Sequence, residues 1–116
     1  MSLISDKYQA LVNLLEQLRT DVSNSQVSTP ELKQGVMSLQ QVFSQEILPL
    51  ATDANSREQS YQTEISKQLR LLEVDVMFLQ GARQSATSQA RLKTISDRLS
   101  ILIQYCHAIL QQQTPE

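Results

Sequence analysis

A chain of 116 residues, 41% hydrophobic and 19% charged, has the size of one domain and too much apolar content for wholesale disorder. A net charge of −2, with Lys and Arg spread among the acids, supplies no basic field for DNA or RNA. A single cysteine excludes an intrachain disulfide and a cysteine-rich metal cluster, and two glycines with three prolines favour long helices over a turn-rich sheet.

The first predicted helix carries Tyr8, Leu11, Val12, Leu15, Leu18 and Val22 at steps of three and four, so these residues share one face, and Leu14 widens it. Ser5 or Asp6 is expected to cap it, with Leu3 and Ile4 just outside, and the polar cluster SNSQVST stops it near Ser23. Thr29-Pro30-Glu31 starts the second helix: Thr29 as cap, Pro30 at the first helical position, Glu31 complementing the dipole. Leu32, Val36, Leu39, Val42, Phe43 and Ile47 then point inward, and Gly35 inside this stripe fits a close helix–helix approach or chance. Pro49 lacks an N–H and clashes with the preceding turn, which favours a break over Leu48–Asp53, with a kinked continuation as the alternative.

The third helix, from about Asn55 to Ala82, is apolar on more sides than one neighbour covers. Tyr61, Ile65, Leu69, Leu72, Val76 and Leu79 form its main strip, and Leu71, Val74 and Phe78 a second one. Gly81 reads as part of its C-terminal stop, and Ser85 or Thr87 caps the fourth helix. That helix presents Leu92, Ile95, Leu99, Leu102, Cys106 and Ile109, with Ile103 and Leu110 at the edges, and ends before Pro115. Ile101, Tyr105 and Ala108 make a weaker strip behind. Short connections of about three to seven residues make sequential helices antiparallel. The expected fold is all-α: one domain over residues 1–116, an up-down-up-down four-helix bundle.

No constellation for catalysis stands out. Cys106 and His107 are adjacent in a helix, so their side chains diverge by about 100°. Cys106 falls on the core stripe as a small hydrophobe and His107 on the polar side. One His and one Cys supply no ligand cluster, and no glycine-rich phosphate loop is present. The expectation is a non-enzyme without cofactor or metal. Asp75, set between the two apolar strips, is expected to pair with Arg91 or Arg98 across the hairpin and so fix its register. Val74 and Phe78, with Ile101 and Tyr105, remain after the main seams are assigned. They are candidates for a homodimer or partner interface, unless the third helix is central and covers them. The opening MSLISDKYQ has no signal-peptide pattern, and no run approaches the ~20 apolar residues of a membrane span. A soluble cytoplasmic protein follows as the expectation.

The segment from Lys67 to Leu110, with RLLEVDVMFLQGARQ, the spacer SATSQAR and the ending DRLSILIQYC, resembles the C-terminal half of the PatD family. DKYQALVNLLEQLRTDV and SQEILPL extend the similarity over the chain. PatD proteins are small cyanobacterial regulators named for control of heterocyst frequency. The resemblance implies a cytoplasmic, non-enzymatic protein that binds the division protein FtsZ, modulates its assembly and links cell division to heterocyst differentiation. A helical adaptor or dimerising module for another partner is the alternative.

Overall fold

The computed structural model describes residues 3–24, 27–51 and 55–113. Four helices account for nearly all of them: α1 Leu3–Ser23, α2 Thr29–Gln41, α3 Ser56–Gly81 and α4 Ser85–Gln113. Between α2 and α3 lie a π-helical segment, Val42–Ile47, and a 3₁₀ turn, Leu48–Leu50. The helices pack side by side into an elongated antiparallel bundle of 49 × 21 × 19 Å.

Neighbours follow the chain and then close the ring, with α4 packing extensively on both α3 and α1. Side-chain pairs record the antiparallel register. Lys7 Nζ meets Glu46 Oε1 at 2.8 Å, and Leu18 packs on Gly35, so moving forward along α1 moves back along the second helical stretch. Likewise Tyr61 lies against Tyr105 and Phe78 against Arg91. The core is drawn from the expected stripes, of which Val42, Tyr61, Leu79 and Leu92 are only partly buried: it holds all six α1 positions, Leu32, Val36, Leu39, Phe43 and Ile47, then Ile65, Leu69, Leu72 and Val76. From α4 come Ile95, Leu99, Leu102, Cys106 and Ile109, and Ile103 is buried with them.

Helix starts differ from the expectation by small steps with clear causes. α1 already includes Leu3, so Ser5 and Asp6 lie inside its first turn and not at a cap. The cap of α2 is Ser28. Its hydroxyl accepts from the Glu31 N–H at 3.3 Å, and Glu31 Oε1 accepts from the Ser28 N–H at 3.1 Å. This reciprocal box needs Glu three residues after the cap, a spacing that Ser28 meets and Thr29 does not. Asn55 caps α3 by accepting from the Glu58 N–H at 2.8 Å. α4 starts at Ser85, which places Ser85 and Thr87 within its first turn and not at the cap.

Pro49 is accommodated by a change of winding. The α-helix ends at Gln41, the next turns widen, and the Leu48 N–H donates five residues back to the Phe43 carbonyl. Widening relieves the collision a proline ring makes with the carbonyl four residues before it. The chain then tightens into a 3₁₀ turn that contains Pro49, closed by the Ala51 N–H on the Leu48 carbonyl at 3.1 Å. Helical winding therefore passes Pro49 by one residue. Asp53, the last position of the expected break, and Pro115, the expected stop of α4, lie outside the described residues.

Candidate protein interface

α3 is flanked by α2 and α4, and this arrangement leaves one of its faces open. Near its C-terminal end Val74, Met77 and Phe78 are 37%, 61% and 53% exposed. Steps of three and four put them on a single outward face, and Gly81 continues it with open space where a Cβ would stand. Phe78 is also a platform: the Arg91 guanidinium lies 4.7 Å from its ring centre. Burying such a strip against water-excluding protein stabilises an association by about 25 cal/mol per Å² of apolar area.

Between α2 and α3 runs a groove of about 370 Å³, floored by Val36 and Val76 and flanked by Met37 and Met77. Met37 is half exposed. Gln40 Nε2 reaches across to Glu73 Oε2 at 2.9 Å, and beyond this bridge the depression continues past Phe43 and Leu69 to Leu48.

Sequence reasoning grouped Val74 and Phe78 with Ile101 and Tyr105; the structure sets Tyr105 apart from Phe78. Tyr105 is half buried and packs on Tyr61, with ring centroids 5.9 Å apart. Tyr61 lies seventeen residues before Phe78, about 25 Å along the helix axis. Ile101 is half buried in α4. Met37 and Met77 were missed, although Met77 sits beside Phe78 and three residues after Val74, which is signal enough.

Asp75 is buried and paired with Arg98, the closer match of the two expected partners. Arg98 also donates from Nη1 to Gln68 Oε1 at 3.1 Å, so one guanidinium ties two turns of α3 to α4. Arg91 serves Phe78 instead. A second polar contact inside the bundle joins Gln62 Nε2 to Tyr8 Oη at 3.3 Å. Burial pushes the Tyr8 phenol up to about 12, helped by nearby Glu58 and opposed by the Gln62 bond. Burial likewise raises the Cys106 thiol to about 12, while His107 beside it is exposed. The two groups therefore do not face each other. Among the described residues no three His, Cys, Asp or Glu side chains converge as a metal site, and no helix is long and apolar enough to cross a membrane.

The family model of the CRR41 C-terminal domain matches residues 4–106, which takes in all or part of every helix. The chain belongs to that family. As a CRR41 C-terminal domain it is a four-helix bundle whose open face lies on α3, inside the matched region. No curated protein and no solved structure matches it.

Proposed function

We propose that the chain is a protein-binding helical module that works through its surface and not through chemistry of its own. The observation that carries this reading is the contiguous apolar strip Val74, Met77 and Phe78, exposed on a helix whose other faces are packed. Single exposed hydrophobics are ordinary, whereas a contiguous strip that includes an aromatic side chain is a recurrent feature of binding surfaces. For the partner, the resemblance of Lys67–Leu110 to PatD supports FtsZ, with modulation of its assembly in cell division and heterocyst differentiation as the consequence. The deciding measurement is sedimentation of FtsZ polymers with the wild-type chain and with Phe78→Asp. The wild type is expected to co-pellet or change polymer yield, and Phe78→Asp to do so less. Unchanged pelleting and filament morphology with the wild type removes FtsZ as partner.

A second reading, an adaptor for a different protein, rests on the same exposed strip, which does not by itself select FtsZ. Crosslinking from the native cytosol through a photoreactive residue at position 77 separates the readings, by recovering either FtsZ or another protein as the main adduct.

A further inference from the structure

We infer that the α2–α3 groove, together with the outer strip of α3, is the seat of an acidic amphipathic helix from a partner protein. This rests on the protein-binding reading and adds the site and the partner's chemistry. The shape fits a helix. From Met37 to Leu48 the groove follows three turns of helix, about 16 Å, which is the span of apolar anchors at i, i+4, i+7 and i+11 on a docking helix. Two of its apolar side chains, Met37 and Met77, are flexible methionines that adapt to an incoming surface.

The charge pattern selects the occupant. The chain carries a net −2, yet the cations Lys33 and Arg70 line the groove against a single acid there, Glu73, which Gln40 already engages. Arg91 sits over Phe78 at the far border. Lys67 falls on the same outward face, seven residues before Val74. An apolar strip with a cationic rim on an acidic protein complements a helix that bears Leu-type anchors flanked by Glu or Asp. A second copy fits poorly. Two-fold pairing through this face would bring two rims together, each carrying Lys33, Arg70 and Arg91, with Glu73 as the one acid lining each groove, and like-charged surfaces meeting across an interface are unfavourable.

The test uses the full chain with ¹³C-methyl methionine, since three methionines give a simple spectrum and two of them flank the groove. The probes are two synthetic amphipathic peptides of about 16 residues with the same Leu anchors, one flanked by Glu and the other by Lys. The Glu peptide is expected to move the Met37 and Met77 signals, to bind less tightly as salt is raised, and to lose affinity by about tenfold with Lys33→Glu plus Arg70→Glu. Far-UV circular dichroism of that double variant should match the wild type, because both side chains are exposed. Equal binding of both peptides, or binding that leaves the two methyl signals unmoved, overturns the proposal. So do methyl shifts that depend on protein concentration without peptide, because they seat a second copy in the groove. The two readings fail separately. A partner bound as tightly by the double variant as by the wild type discards the groove and keeps the module. A bound Glu peptide with no effect on FtsZ discards that partner and keeps the groove.

Discussion

Asp75 and Arg98 illustrate how a buried charge is held. The Asp75 side chain is 7% exposed and the Arg98 side chain 24%, so the pair is largely removed from water and neither charge is well solvated alone. Arg98→Ala strands the carboxylate and drops the bond to Gln68. Breaking fully buried pairs costs roughly 3–5 kcal/mol; with the arginine partly solvated, about 2 kcal/mol is expected, read from urea denaturation. Replacing both, with Asp75→Leu and Arg98→Met, should recover most of that loss, and a double variant no better than Arg98→Ala would contradict the pairing argument. At the same scale, Tyr8 and Cys106 make the fold sensitive to alkali. Their folded values near 12 lie above the ordinary 10.0 and 9.0, so above pH 9 the unfolded chain releases protons that the folded chain retains. Stability is fully present below pH 9 and declines as pH rises towards 12. Thermal melts of the wild type and Cys106→Ala should diverge in slope first between pH 9 and 10, before the Tyr8 contribution sets in.

Among the elements, the apolar stripes were readable because a helix buries every third or fourth residue whatever its neighbours. The six residues of the narrow α1 stripe are buried, whereas Leu14, expected to widen it, is 41% exposed. The helix starts were less legible, since Ser and Thr are both good caps and only the reciprocal bond from Glu31 separates Ser28 from Thr29. The Ser28 hydroxyl first, and then its backbone N–H, hold the Glu31 carboxyl below its usual range. Ser28→Ala is therefore expected to cost about 1 kcal/mol and Thr29→Ala distinctly less, by chemical denaturation. The choice between Arg91 and Arg98 was beyond the sequence because both fall within about a turn of Asp75; the helix offset in the hairpin decides it. The π-helical segment left no trace in composition, as widening depends on how a proline clash is relieved. For Gly35 the sequence left a close helix–helix approach and chance as alternatives, and the packing favours the first. A Cβ there would meet Leu18 Cδ1 at 3.0 Å, so α1 and α2 approach closely at that point.

For the whole molecule, the candidate site was half legible. Val74 and Phe78 were found because they exceed what the bundle seams require, whereas Tyr105 shares their aromatic-apolar character but is half buried against Tyr61 and the core. The two aspartate substitutions should therefore part company. Phe78→Asp leaves the melting temperature close to wild type and weakens partner binding. Tyr105→Asp places a charge in a half-buried contact and is expected to lower stability by about 1–3 kcal/mol. Equal melting temperatures for the two variants would contradict this division.

The bundle is also unevenly held. α4 meets α1 and α3 along long seams, whereas α2 is the shortest helix and has a groove on each side, one against α3 and one against α1 beside Leu14 and Gly35. A helix with the least apolar contact opens at the lowest free energy, well before the molecule unfolds as a whole. Amide hydrogen exchange should show this order directly, with Leu32 to Leu39 exchanging ahead of Leu11 to Leu18 and Leu99 to Ile109. The bundle then behaves as a firm three-helix frame with one hinged stave, and a guest seated beside α2 would slow its exchange from outside.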